Sequence, residues 1–314
     1  MTTATQTLTL KTAIGSYGHT NAIKSGAITP KGVRFDQVEV APIINAFRRM
    51  CRTLEFDACE MAITTYLCAR AEGKPFTALP IFLVRAFHHG TTMYNVKSGV
   101  TKPKDLEGKK VGVRAWTVTS GVWAKSILAK EYGVDLEKVN WIIVDEEHVA
   151  EYKTPGNVTS MPGANLADML AKNEIAAAIG VGNVDSPDVK PLIDNAGAAQ
   201  ADWFKRTGIF PINHTFVVQN KFLEANPTLG KDLFDAFKEA KDKYVATVAT
   251  STAEEDAAAK RNQALVGDPF PYGLGVPANA KAVDGILEAA QQQHIIPAAG
   301  WTAEQIFAKG AMGW

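Results

Sequence analysis

Apolar runs of strand length alternate with segments of helical spacing along most of this chain. Leu8 to Ala13 predicts a strand. The turn Gly15-Ser16-Tyr17-Gly18-His19-Thr20 follows, then a short helix to Ser25-Gly26. Phe35 to Val40 is a second strand, and Ile43 to Leu54 a helix with Ile44, Phe47, Met50 and Leu54 on one face. Phe56 to Met61, Thr64 to Glu72 and Leu79 to Phe87 continue as strand, helix and strand. This rhythm implies parallel strands joined by right-handed crossovers. It restarts after the polar stretch 103–110. The strand Val111 to Val113 leads to Thr119-Ser120-Gly121, which opens a helix through Leu128. Val139 to Val144, Asn165 to Lys172 and Ile175 to Val181 then read as strand, helix and strand. Past Gln219 the pattern is mostly helical, closing on the turn-rich Asp268 to Gly273.

Two further stretches carry strong polar groups in apolar surroundings: 82–95 (FLVRAFHHGTTMYN) and 206–219 (RTGIFPINHTFVVQ). Both read as strands, and a complete α/β unit separates them. A chain that leaves one domain and returns to it crosses the gap twice. If these are the crossings, their polar side chains meet in an interdomain cleft, where small-molecule sites concentrate. The expected domains are 1–95 with 210–314, and an inserted 96–209. The length of 314 residues suits two domains of ordinary size.

Composition narrows the partners. Lys+Arg and Asp+Glu both number 33, with no long run of one sign, so nothing favours nucleic acid or an acidic membrane surface. No stretch reaches the roughly 18 apolar residues that span a bilayer. The first residues, MTTATQTLTLKTAIG, lack a basic n-region and an apolar core, so the expected location is cytoplasmic. Cys51, Cys59 and Cys68 match no zinc or redox spacing and read as buried thiols. Monomer and homo-oligomer both remain open.

Several residues suit binding or proton transfer. Strand alternation would put Arg85 and His89 on one face and His88 near the other. Arg85 offers a planar fork for a carboxylate, and a histidine titrates near neutrality. The structural alternative is an ion-paired arginine and exposed histidines at a strand end. His214, between Asn213 and Thr215, needs a hydrogen-bond partner in its apolar segment. Glu60 could orient a histidine, accept a phenol proton or pair with Arg85, and a structural pair with a cation is an equal alternative. Thr119 and Ser120 at a helix start suit an anion, or simply cap the helix. Arg114 and Trp116 precede them, and Tyr17 and His19 hold the corresponding place in the other half. A metal on His88, His89, His214, Glu60 or Asp57 is a rival reading. It lacks HxH or HxxxH spacing, and adjacent strand histidines point to opposite faces.

The phrases PKDLEGKKVGV and LADMLAKNEIAAAIGV resemble the type II periplasmic-binding-protein fold, an α/β architecture of two domains with mostly parallel sheets and a cleft between them. More narrowly, FDACEM (56–61), RAFHHG (85–90), Trp116-x-x-Thr119-x-x-x-Trp123, KEYGVDL (130–136), RTGIFPINHT (206–215) and DPFPYG (268–273) resemble the 4,5-dihydroxyphthalate decarboxylase family. The resemblance spans nearly the whole chain in order. It implies a cofactor-independent decarboxylase of a hydroxylated aromatic carboxylic acid. His89, His214 and Glu60 would handle protons. Arg85, His88, Tyr17, His19, Arg114, Trp116, Thr119, Ser120 and Asn213 would bind substrate. The family often has Arg where this chain has His88, which implies a substrate with different anionic groups. A solute receptor on the same fold is the alternative, and the absent signal peptide weighs against it. A thiamine-pyrimidine synthase would also share the fold, but its cysteine-rich motif is missing.

Overall fold

The structure, a computed structural model, describes residues 7–298 and 300–314. Along the chain the elements are β1 (Leu8–Ala13), α1 (Asn21–Lys24), β2 (Val33–Gln37), α2 (Ile44–Thr53), β3 (Ala58–Ala62), α3 (Ile63–Ala71), β4 (Phe76–Arg85) and β5 (Thr92–Asn95). Next come β6 (Lys110–Val113), α4 (Thr119–Tyr132), β7 (Asn140–Ile143), β8 (Val158–Ser160), α5 (Leu166–Ala171), β9 (Ala177–Ile179), β10 (Val189–Pro191) and α6 (Ala196–Thr207). The last are β11 (Ile212–Gln219), α7 (Asn220–Ala225), α8 (Leu229–Val248), α9 (Ala257–Val266), α10 (Pro277–Gln292) and α11 (Ala303–Ile306). Asn165 caps α5 by accepting from the N–H groups of Ala167 and Asp168.

The chain divides into two compact units. The first is Met1–Arg85, Ile212–Asp284 and Trp301–Trp314, and the second is Ala86–Pro211 and Gly285–Gly300. Both differ from the expected 1–95 plus 210–314 and 96–209 at three places, because residues 86–95, 210–211 and 285–300 fall in the second unit. Residues 86–95 belong to the second unit because β5 pairs with β9 and β10 there. Residues 285–300 join it because Trp116 Nε1 donates to the Gln293 carbonyl and Gln293 Nε2 donates to the Val122 carbonyl.

The first unit's sheet has the order β2-β1-β3-β11-β4. β1 runs parallel to β2 and β3, whereas β11 is antiparallel to β3 and β4. Every residue of β3 is buried. β4 lies at the sheet's end, yet most of it is buried too. Its edge is covered, since Ala308 N donates to the Ala78 carbonyl and Gly273 N to the Pro80 carbonyl. The second unit's sheet has the order β10-β5-β9-β6-β7-β8. Here β5 alone is reversed, antiparallel to both neighbours. Ile142, Leu166, Met169, Leu170, Ile175, Ala178 and Val189 form a core cluster against this sheet. In each sheet the reversed strand sits one in from the end, and the sheets are otherwise parallel as expected.

Two expected strands end earlier or begin later than their apolar runs suggest. β4 stops at Arg85, so Phe87, His88 and His89 lie in the link to β5. The premise that strand alternation sets Arg85 and His89 on one face therefore fails. Arg206 belongs to the end of α6, where it pairs with Asp202 and Glu131 at 2.8 and 2.6 Å. The strand begins only at Ile212.

Candidate functional site

Glu60 is the centre of the first unit's polar chemistry. It lies in the buried strand β3 with no exposed surface. A carboxylate in such a place needs partners, because its desolvation is otherwise prohibitive. It has three. Gly15 N donates to Oε2 at 2.8 Å, and the Tyr17 hydroxyl donates to Oε1 at 2.8 Å. His214 Nδ1 lies 2.6 Å from Oε1.

Sheet register explains the last contact. Phe216 on β11 stands opposite Glu60, and His214 stands opposite Ala62. His214 is therefore the same-face diagonal neighbour of Glu60, within reach of a long side chain. Against an ionised carboxylate, which can only accept, Nδ1 is the donor and Nε2 the exchangeable nitrogen. The ring packs edge-on against Phe47 at 5.1 Å.

Tyr17 reaches Glu60 because the turn after β1 gives it room. A Cβ on Gly15 would fall 2.5 Å from the Tyr17 ring. A Cβ on Gly18 would fall 2.1 Å from the ring of Tyr244. These two glycines allow two aromatic rings to lie directly against the turn. Burial and the charge of Glu60 push the Tyr17 phenol well above its ordinary range, so it stays protonated.

Beside this turn is a cavity of about 500 Å³ lined by, among others, Tyr17, His19, Arg85, Tyr244, Asp256 and Phe270. His19 is stacked between Tyr17 and Phe270, with ring centroids at 5.4 and 4.1 Å. Its nitrogens make no hydrogen bond of good geometry, although the Leu83 carbonyl favours the protonated ring. Desolvation dominates and lowers its pKa to about 4, so the ring is neutral at neutral pH. The Tyr244 hydroxyl donates to Asp256 Oδ1, and hydrogen bonds from the Ser251 side chain and then from Tyr244 hold the Asp256 carboxyl below its usual range. Arg85 is buried, and its Nη2 donates to the Pro271 carbonyl at 3.1 Å and to Asn279 Oδ1. Burial lowers its pKa to about 9, opposed by the field of Asp268. The guanidinium therefore remains charged at neutral pH. It is fixed by Asn279 rather than by Glu60, one of the partners considered for it.

The second unit holds the other candidates. His88 and His89 are buried there. His89 meets Trp203 edge-on at 5.2 Å, and burial lowers its pKa to about 4. Arg114 pairs with Asp145 at 3.0 Å. Thr119 is buried and Ser120 half-buried at the start of α4. The backbone just before that helix already carries an anion: Glu147 accepts from Trp116 N at 2.5 Å, and from Thr117 N and Oγ1 at 3.1 and 2.5 Å. Below it, Lys125 is fully buried with Nζ 3.1 Å from the Trp116 ring centroid. Burial pushes its pKa well down, and Glu147 opposes that fall. Asn213 is buried on β11 beside His214.

Sequence reasoning thus reached Glu60, His214, Tyr17, His19 and Arg85, which the first unit holds. It missed Tyr244 and Asp256, which carry no local signal, and it quoted Phe270 only inside DPFPYG. It gave Glu147 and Lys125 no role. Of the residues considered for a metal, Glu60 pairs with His214, and Asp57 Oδ2 accepts from Lys11 N at 2.9 Å. Among the described residues no group of three or more His, Cys, Asp or Glu is placed to hold a metal ion. Cys51, Cys59 and Cys68 are buried thiols in no disulfide, on α2, β3 and α3. No described helix is long and apolar enough to cross a membrane.

The fold is that of the periplasmic binding proteins. The aliphatic sulphonate binding protein SsuA from Escherichia coli matches with a TM-score of 0.55 at 13% identity, covering 97% of this chain and 92% of that one. The family described as NMT1/THI5 like matches residues 55–247, and the chain belongs to it. Within that fold the resemblance stated above is borne out. The chain is 29% identical to a 4,5-dihydroxyphthalate decarboxylase of Comamonas testosteroni over 301 residues, 89% of this chain and 90% of the relative. It is 27% identical to one of Pseudomonas putida over 217 residues, 63% of this chain and 82% of the relative.

Proposed function

We propose that this protein is a decarboxylase of a hydroxylated aromatic carboxylic acid, acting at the cavity of the first unit. The observation that carries the reading is Glu60, a wholly buried carboxylate joined to both His214 and the cavity-lining Tyr17. The similarity to named 4,5-dihydroxyphthalate decarboxylases supports it. A volume of about 500 Å³ suits a single aromatic ring with several substituents.

The charged, immobilised Arg85 attracts the substrate carboxylate. A proton adds to the ring carbon bearing that group, and a ring hydroxyl stabilises the resulting intermediate. The carbon–carbon bond then breaks, CO2 leaves, and its electron pair restores aromaticity. His214, linked through Glu60 to the cavity-lining Tyr17, is the proton source, and Glu60 holds its imidazole in place. His19, neutral, buried and stacked between Tyr17 and Phe270, builds the cavity wall rather than supplying a proton. No organic cofactor is required by these steps. Metal analysis of the purified protein tests the companion expectation that no divalent ion takes part, and cell fractionation tests the cytoplasmic location.

The experiment is incubation with 4,5-dihydroxyphthalate and a panel of hydroxybenzoic acids while CO2 and product mass are measured. His214→Gln should lose about 10²–10⁴-fold in turnover while still binding the acid. Tight binding of these acids with no CO2 from any of them would replace the decarboxylase by a solute receptor. Unchanged turnover in the variant would remove His214 from the mechanism.

A further inference from the structure

We propose that the first unit holds a second binding site, at the opposite end of β4 from Arg85, for a small carboxylate with an apolar body. The inference is independent of the reaction assigned above.

The site is a cavity of about 480 Å³ that shares no lining residue with the one beside Tyr17. Strand β4 gives Thr77 to this cavity and Leu83, Val84 and Arg85 to the other. At about 3.3 Å per residue, Thr77 and Leu83 lie roughly 20 Å apart along the strand. The two cavities are therefore separate places on one sheet.

The polar groups of the distal cavity are mostly donors. Arg70, near the end of α3, and Lys309 both line it. Neither has a carboxylate partner among the described residues. Arg70 Nη2 donates to the Gln305 carbonyl, and the guanidinium has further N–H groups to give. Asn220 is another donor. Its Oδ1 accepts from Thr77 Oγ1 at 2.8 Å, which orients the amide and leaves Nδ2 without a partner among the described residues. The one acid on the wall is the exposed Glu224. Leu223, Pro227, Phe307 and the half-buried Trp314 supply apolar surface. Donors without acceptors call for an anion, and a guanidinium fork fits a carboxylate. The apolar side chains call for a hydrocarbon body on that anion.

The walls are fixed before any ligand arrives. Ala308 N donates to the Ala78 carbonyl at 3.0 Å, and the Phe307 ring meets Phe82 edge-on at 5.8 Å. The Trp314 indole lies so close to α8 that a Cβ on Gly230 would fall 2.9 Å from it. A cavity already in shape loses little affinity to ordering.

The test is titration of benzoate into the full-length protein, followed by NMR at the indole N–H of Trp314. Loss of that signal in Trp314→Phe assigns it. The signal should shift and saturate. Benzamide keeps the ring without the charge and should bind about tenfold more weakly. Acetate, which lacks the ring, should bind more weakly than benzoate as well. Arg70→Gln should weaken benzoate about tenfold and the exposed Lys309→Gln about threefold. Thermal melts verify that each variant is folded. His214→Gln should leave the titration unchanged. The proposal is overturned if the Trp314 signal does not move, if benzamide matches benzoate, or if neither cation variant weakens binding. That last outcome would mean benzoate bound elsewhere and felt at a distance.

Discussion

The two units solve the same topological problem with different chemistry at the same turn. In each, a central strand, β1 or β6, is followed by a turn and a helix, and in each an internal glutamate sits on the N–H groups of that turn. In the first unit the glutamate comes from the strand beside β1, is fully buried, and binds Tyr17 and His214. In the second it comes from the loop after β7, is half-buried, and binds Thr117. The first turn needs glycine at 15 and 18 because two rings lie on it. The second has Ala115 and Val118, because the Trp116 indole turns away to the Gln293 carbonyl. The same backbone position is thus a functional junction in one unit and a structural clasp in the other.

Removing the two carboxylates should separate these roles most sharply. Glu60→Ala strands a buried N–H, a phenol and an imidazole, and should cost about 3–5 kcal/mol of stability. Glu147→Ala exposes its partners partly to water and should cost about 1–2 kcal/mol. Urea denaturation measures both. Equal losses would break the contrast.

Acid should act on both units alike. His19 and His89 are each neutral in the fold, with pKa values lowered from 6.5 to about 4. The unfolded chain takes up the proton first as pH falls. Their contribution is therefore intact above pH 6.5 and is lost between 6.5 and about 4. It amounts to about 3 kcal/mol for each ring, on the usual conversion of pKa shift to free energy. His19→Phe and His89→Phe should each flatten the stability curve in that window, and NMR titration should show both rings uncharged at pH 5.5.

The smallest expected effect tests the glycines. Gly18→Ala forces the Tyr244 ring aside and should destabilise by about 1–3 kcal/mol. Val118→Ala at the equivalent place should cost less, as read by the same urea denaturation.

How far the sequence foretold this depends on the range of each interaction. Leu8–Ala13 and the start of α4 at Thr119 were legible because a local apolar run and a turn define them. Glu60 and His214 were legible as polar groups in apolar strands, each needing a partner. That they partner each other follows only from β11 returning antiparallel to β3. Arg206 was misread because AGAAQADWFKRT runs into an apolar strand without a proline before Pro211, and Gly208 alone marks the break. Tyr244 and Asp256 lie on elements over two hundred residues from the turn they complete, and no spacing rule connects them.

The division of the chain also bears on its synthesis. The polypeptide passes between units at 85/86, 211/212, 284/285 and 300/301. The first sheet lacks an interior strand until β11 has been made, and the edge of β4 stays uncovered until Ala308 arrives. The second unit waits for Gln293 to close over Trp116. Neither the first unit nor the second can therefore finish folding before Ala308 and Gln293 respectively have left the ribosome. Half-made chains expose apolar strand edges throughout that interval, a state that favours aggregation and engages chaperones.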